Sequence, residues 1–190
     1  IERKLMLSKK HFIVISFLIL FFSSIVKAYS IEPDVFVQST VNRAAKTLGG
    51  NFTKEERIKK LKKIASETVD INGIGSYTLG AYKKDISDEQ LKQYKFLFEQ
   101  YFLKSFSSRL AEYSNPEIEV ISKKVINKNY TMVSSILVST EKRPEVKIDW
   151  RVYTKDPESP KIRDLIIEGL SLVRTQKEEF SSIIQSNNGD

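Results

Sequence analysis

The sequence predicts an α+β fold, in which N-terminal helices pack on one face of a four-stranded antiparallel β-meander and a C-terminal helix closes the chain. Two observations predict it. Apolar residues recur at helical spacing over the first part of the chain, and after Asn115-Pro116 the pattern changes to short segments rich in Val, Ile, Tyr and Thr. The connections between these segments are short, which makes consecutive strands antiparallel neighbours.

Four helical segments are predicted before the sheet. The motifs at residues 53–56 (Thr-x-x-Glu) and 87–90 (Ser-x-x-Gln) are capping boxes, in which two side chains satisfy the free amides of a helix start. The third segment contains Gly73 and Gly75, so we expect it to be bent or broken there. The four segments are residues 34–48, the helix that begins at Thr53, residues 69–82, and residues 87 to about 113.

Four strands are predicted after these helices. The third alternates cleanly between apolar and polar residues, so its apolar face is expected to be buried. Gly169 is expected to end the sheet, and residues 171–186 to form the closing helix. The predicted strands are residues 117–126, 130–140, 146–155 and 162–168. The apolar face of the third strand carries Val146, Ile148, Trp150 and Val152, and its polar face carries Lys147, Asp149 and Arg151.

Residues 1–28 have the three-part pattern of a secretory signal peptide. Basic residues come first, the uncharged run 12–26 follows, and residues 26–28 (Val-Lys-Ala) suit cleavage before Tyr29. A retained membrane anchor is the alternative, but this run of 15 residues is shorter than the roughly 20 that span a bilayer. The sequence therefore predicts export across a bacterial inner membrane, loss of the leader, and a single periplasmic domain of residues 29–190.

The charge of residues 29–190 is nearly balanced. The predicted leader carries five of the 31 basic residues and one of the 24 acidic residues, which leaves a net charge of about +3. The remaining basic residues are interleaved with acidic ones, as is typical of solvated helix faces. No basic stripe with base-stacking aromatic residues is present, so no nucleic-acid partner is expected.

Residues 29–190 contain neither cysteine nor histidine, because the single histidine, His11, lies in the predicted leader. Ser-His-Asp catalysis, Cys-His catalysis and ordinary zinc sites are therefore excluded for these residues. We expect no enzymatic activity, no metal and no cofactor. An exported hydrolase that uses Asp and Glu alone is the remaining catalytic alternative, and a cleft with two converging carboxylates would favour it.

The fourth predicted helix has an unusually wide apolar face. Its apolar residues spread over more than half of the helix circumference, whereas a surface helix normally shows a stripe of little more than 100°. This pattern indicates either a central core helix or a helix that lines an apolar cavity, and periodicity alone does not separate the two. The residues are Leu91, Tyr94, Leu97, Phe98, Tyr101, Phe102, Phe106, Leu110 and Tyr113.

Three segments of the chain are similar to motifs of one known family. They are Val69-Asp70 followed by Leu79-Gly80-Ala81-Tyr82, then Ser87-Asp88-Glu89-Gln90-Leu91 followed by Phe96, Phe98 and Tyr101, and finally Asp164-Leu165-Ile166-Ile167-Glu168-Gly169-Leu170-Ser171-Leu172-Val173 with Phe180 downstream. Through them the chain resembles the MlaC family, also called the toluene-tolerance auxiliary family. The chain departs from the family pattern at Lys83 and Lys84, where Trp and Arg are usual, and at residues 175–177, where Asn-Tyr-Arg is usual.

The resemblance implies a periplasmic phospholipid carrier of the Mla lipid-transport system. Such a carrier shuttles lipids between the outer membrane and an inner-membrane ABC transporter complex and maintains outer-membrane lipid asymmetry. The implied partners are that ABC complex and an outer-membrane lipoprotein–porin complex, and the carrier itself is expected to be a monomer. Phospholipid is then the cargo and not a cofactor.

A carrier of this kind needs an apolar cavity between the helices and the sheet. The alternative is an exported protein-interaction module with a filled core, because a cavity wall and a packed core use the same residue types. Asp70, Asp164 and Glu168 lie in the matching segments and either contact a headgroup or tie the ends of helices and strands. The candidate pocket residues are Leu79, Tyr82, Phe98, Phe102, Ile136, Val138, Ile148, Trp150, Val152 and Ile166.

Overall fold

The computed structural model describes residues 29–113, 116–141 and 143–189. The predicted leader, residues 1–28, lies outside the described residues. Within the described part of the chain, no helix is both long enough and apolar enough to cross a bilayer.

Five α-helices and one 3₁₀ turn form the helical part of the described chain. Both predicted capping boxes are present. The Thr53 hydroxyl accepts the Glu56 amide at 3.2 Å, and the Glu56 carboxylate accepts the Thr53 amide at 2.9 Å. Ser87 and Gln90 do the same at 3.2 and 2.9 Å. The elements are α1 (Pro33–Gly49), α2 (Lys54–Thr68), α3 (Ile71–Leu79), the 3₁₀ turn (Gly80–Lys84), α4 (Asp88–Leu110) and α5 (Leu172–Ser186).

The expected break at Gly73 or Gly75 is wrong, because α3 is continuous through both residues. The helix ends instead at Gly80, whose φ of +56° is rarely adopted by residues with a side chain. Gly75 has a packing role, since a Cβ atom at this position would lie 2.8 Å from Cδ1 of Phe98. The missing side chain lets α3 and α4 approach each other closely.

The sheet has five antiparallel strands in the order β1-β2-β3-β4-β5, one more than predicted. The additional strand, β5, has two residues. Glu168 and Gly169, with φ of 49° and 83°, turn the chain back after β4, so Gly169 opens a short hairpin and does not end the sheet. The strands are β1 (Ile118–Asn127), β2 (Tyr130–Leu137), β3 (Val146–Tyr153), β4 (Lys161–Ile167) and β5 (Leu170–Ser171).

The main core lies between α1 and the inner face of the sheet, where Val37 and Val41 meet buried residues of β2, β3 and β4. The alternation predicted for β3 is seen, with Ile148, Trp150 and Val152 buried on one face. A second cluster joins α3, α4 and α5. The mixed fold, with N-terminal helices, an antiparallel sheet and a closing helix, is confirmed. The inner-face core residues of the sheet are Val133, Leu137, Ile148, Trp150, Val152 and Ile162.

Candidate functional site

An apolar cavity of about 440 Å³ lies between the helices and the inner face of the sheet. Its sheet side is set by strand register. Ile148 of β3 is paired with Ile167 of β4, and Trp150 is paired with Leu165, so these four side chains share one face. Volumes of this order are typical of ligand pockets in proteins.

The helical side of the cavity combines small and aromatic residues. On α1, Ala44 and Ala45 leave space that larger side chains would fill. On α4, the rings of Phe102 and Phe106 are stacked with their centroids 5.5 Å apart and form the opposite part of the wall. Leu61, Ile64 and Ala65 of α2 complete this side.

The hydroxyl groups in the wall do not make it polar. Thr40 donates its hydroxyl to the Phe36 carbonyl at 2.8 Å, and Thr68 donates to the Ile64 carbonyl at 2.8 Å. Because both hydroxyl protons are used by the helix backbone, they are not left to bind water in the cavity. The wall therefore favours an apolar occupant.

Two charged side chains also line the cavity. Asp164 is 3% exposed, and its carboxylate accepts the Ser171 hydroxyl at 2.6 Å and the Val173 amide at 3.2 Å. Arg143 donates Nη2 to the Val138 carbonyl at 2.9 Å, and its buried Nε has no hydrogen-bond partner among the described residues. The carboxylate is thus satisfied within the fold, whereas the guanidinium keeps free donors.

Three of the ten candidate pocket residues line this cavity, namely Phe102, Ile148 and Trp150. Of the remaining seven, Phe98 is buried in the α3–α4–α5 cluster and Val152 in the main core. Leu79 is buried at the end of α3, and Tyr82 is half-buried in the 3₁₀ turn. A role of any of the ten in ligand contact stays a prediction.

The last three candidates lie elsewhere around the sheet. Ile136 is paired with Lys147, and Ile166 is paired with Asp149, which places both on the outer face. Val138 follows the end of β2 and contributes its carbonyl to Arg143.

Sequence reasoning missed the contributions of α1 and α2 to the wall, although the spacing of Leu61, Ile64 and Ala65 on one helical face was a usable signal. It also missed Leu137, Leu165 and Ile167. In these strands apolar residues are adjacent in sequence, so only the cross-strand register decides which of them face inward.

The acidic residues of the family motifs tie the fold together. Asp70 accepts the Gly73 amide at 2.9 Å at the start of α3, and its other oxygen binds Arg163 at 2.6 Å. Arg163 also donates to the Tyr130 hydroxyl at 2.6 Å and lies 3.9 Å from the centre of the Tyr153 ring. Burial lowers the pKa of Arg163, but the bonds to Tyr130 and Asp70 outweigh burial and raise this pKa above its ordinary value.

The third acidic motif residue, Glu168, accepts the amide of Lys147. All three carboxylates are therefore engaged by the protein. Within residues 29–113, 116–141 and 143–189, no group of three or more acidic, histidine or cysteine side chains is placed to hold a metal ion.

The fold is similar to that of a phospholipid-binding protein from Ralstonia solanacearum, solved in complex with a phospholipid. The TM-score is 0.70 at 19% sequence identity, over 84% of this chain and 90% of that one. No curated protein sequence matches the chain.

The family comparison covers most of the sequence. Residues 37–190 match the family described as MlaC protein, which includes every element of the fold beyond the first turn of α1. The resemblance noted from the sequence motifs is confirmed, and the chain belongs to the MlaC family.

Proposed function

We propose that this protein is a periplasmic phospholipid carrier that shuttles lipids between the outer membrane and an inner-membrane ABC transporter complex, thereby maintaining outer-membrane lipid asymmetry. The observation that carries the proposal is the apolar cavity between the α1–α2–α4 layer and the sheet. Membership of the MlaC family and the phospholipid complex of the Ralstonia protein support it.

The physical need for a carrier is large. The tails of a phospholipid contain about 30 methylene groups, and exposing each to water costs roughly 0.8 kcal/mol, so transfer through water alone costs on the order of 20 kcal/mol. A wall built from side chains such as Ile148, Trp150 and Phe102 removes most of this cost by replacing water around the tails.

The present cavity is small for such a ligand. The volume of about 440 Å³ lies in the lower part of the roughly 300–1,000 Å³ range of ligand pockets, whereas a diacyl phospholipid needs the upper end of that range. We therefore expect the helical layer and the sheet to move apart when both acyl chains enter.

The proposed activity breaks no covalent bond. The carboxylates of Asp70, Asp164 and Glu168 accept hydrogen bonds from groups of the protein itself. Residues 29–190 contain no histidine or cysteine. The protein would hold the tails, expose the headgroup at the mouth, and exchange cargo by docking as a monomer to the ABC complex and to an outer-membrane lipoprotein–porin complex. The predicted signal peptide, residues 1–28, is the route of export in this proposal.

Transfer between vesicles tests the carrier activity. Donor vesicles with labelled phospholipid and acceptor vesicles are separated by a membrane that passes the protein but not the vesicles. The rate of label transfer should rise with protein concentration, and Lys147→Ala, on the outer face of β3, should leave it unchanged. A rate independent of the protein, together with no bound lipid, would favour the protein-interaction module instead.

A further inference from the structure

Arg143 is the only basic residue in the wall of the apolar cavity, as far as the described residues form it. Its side chain is half-buried. Its Nε is shielded from solvent and has no hydrogen-bond partner among the described residues. No described carboxylate lies within 4 Å of the guanidinium, in contrast to Arg163, which is paired with Asp70. A shielded cation without a counter-ion is costly, so an anion at this point would be stabilised.

The position of Arg143 is at one end of the cavity. The last register pair of β2 and β3, Leu137 with Val146, lies beside it in the wall, and Ile118 of β1 is paired with the same Leu137. Arg143 itself is only half-buried, so this end communicates with solvent. Asp164 is paired with Arg151, three residues further along β3 than Ile148, and therefore lies away from this end.

The loop backbone holds Arg143 in place. The Arg143 carbonyl accepts the Thr140 amide at 2.8 Å, and the Arg143 amide donates to the Thr140 carbonyl at 3.2 Å. Nη2 is fixed by the Val138 carbonyl at 2.9 Å. The guanidinium thus has a defined place, and Nη1 and the second hydrogen of Nη2 remain as donors on one edge.

We propose that Arg143 binds the phosphodiester of a glycerophospholipid at the solvent end of the cavity, with the acyl chains directed toward Trp150 and Phe102. This inference rests on the proposed function and adds the recognition of the headgroup phosphate. A guanidinium presents its donors in a planar fork that fits two phosphate oxygens, and charge-assisted bonds of this kind are about twice as strong as neutral ones. Tail burial supplies affinity, and Arg143 supplies preference for phosphate.

The chain provides a matched control in Arg57. Its Nε is also buried without a described partner, and its Nη2 donates to the Gly50 carbonyl at 3.3 Å, but Arg57 does not line the cavity. The variants Arg143→Gln and Arg57→Gln therefore each remove a guanidinium group that has a buried Nε and one bond to a backbone carbonyl. Only Arg143 lies in the cavity wall.

Binding is measured for phosphatidylcholine and for diacylglycerol with the same acyl chains, with the wild type and both variants. The wild type should prefer phosphatidylcholine, and Arg143→Gln should lower that preference roughly ten- to a hundredfold, as expected for bonds to a charged group. Diacylglycerol affinity should stay unchanged, Arg57→Gln should behave as the wild type, and Arg143→Lys should restore part of the preference. Equal affinity of the wild type for both lipids, or an undiminished preference in Arg143→Gln, would overturn the Arg143 proposal while the carrier function stands.

Further measurements distinguish a lipid phosphate from a free phosphate ester, and failure of the Arg143 proposal from failure of the carrier function. Glycerophosphocholine, which has the phosphodiester without tails, should not compete at millimolar concentration, and effective competition would mean a site for free phosphate esters. Absence of binding of either lipid to the wild type would overturn the proposed function itself. In the wild type, the NMR resonance of the Arg143 Nε–H should shift on addition of phosphatidylcholine and not of diacylglycerol. This measurement needs no variant, so it does not depend on whether a variant folds. An unchanged resonance would contradict the proposal.

Discussion

The contact between α3 and α4 depends on the absence of a side chain at Gly75. Phe98, which lies against it, is 3% exposed and is surrounded by the rings of Tyr94, Phe102 and Phe180 at centroid distances of about 6 Å. Because these rings fill the space around Phe98, its ring has little room to move away.

Gly75→Ala should therefore destabilise the protein, although alanine favours a helix by about 1 kcal/mol over glycine. The added Cβ would lie 2.8 Å from the Phe98 ring, and overpacking of this kind costs roughly 1–3 kcal/mol. Urea unfolding measures the difference. Asn72→Ala on the exposed side of the same helix is the control and should change the free energy of unfolding by less than about 0.5 kcal/mol. A stabilised Gly75→Ala protein would show that the two helices are not in close contact.

Among individual residues, the capping residues were predicted correctly from the sequence, but the structural role of Gly73 and Gly75 was not. A capping box is a local motif, with both partners within three residues, so it can be read directly. The role of Gly75 depends on Phe98, 23 positions away, and a helix-breaking glycine and a close-packing glycine look the same in sequence.

Among the elements, β3 carries both residues that line the cavity and a core residue that does not. Ile148 and Val152 point to the same face and belong to the same core cluster, but only Ile148 also lines the cavity, whereas Val152 is fully buried away from it. The same substitution at these two positions should therefore have different consequences.

Ile148→Trp should place its ring in space that the tails would occupy, so we expect loss of bound lipid with a small change in the melting temperature. Val152→Trp should overpack the core and lower the free energy of unfolding by roughly 1–3 kcal/mol or more. Lipid extraction and thermal unfolding of both variants measure these effects, with Lys147→Ala as the control for both. If Ile148→Trp retained lipid as well as the wild type, the cavity beside β3 would not be the lipid site.

The sequence predicted the positions of the strands better than it predicted which of their side chains point to the inner face of the sheet. Strand β3 has strict alternation, which fixes its inner face without knowledge of its neighbours. In β4, Leu165, Ile166 and Ile167 are all apolar, and a shift of one position in register exchanges the inner and outer sets. This is why Ile166 was a candidate and Leu165 was not.

At the scale of the whole molecule, the cavity of about 440 Å³ between the layers is small for a diacyl phospholipid, which gives a prediction about shape. If a diacyl phospholipid is the cargo, the separation of α4 from the sheet should increase by a few ångströms on loading. The chain has no cysteine, so labels at Lys104→Cys on α4 and Lys147→Cys on β3, both exposed positions, report this distance without background. Identical label distances in empty and loaded protein would contradict widening.

Native mass spectrometry of the protein purified from a bacterial periplasm tests the central claim most directly. A lipid-filled cavity predicts that the main species carries one phospholipid per chain, and that Ile148→Trp is recovered mainly without it. A protein found only at the mass of the bare chain, and still bare after incubation with phospholipid vesicles, would contradict the carrier function.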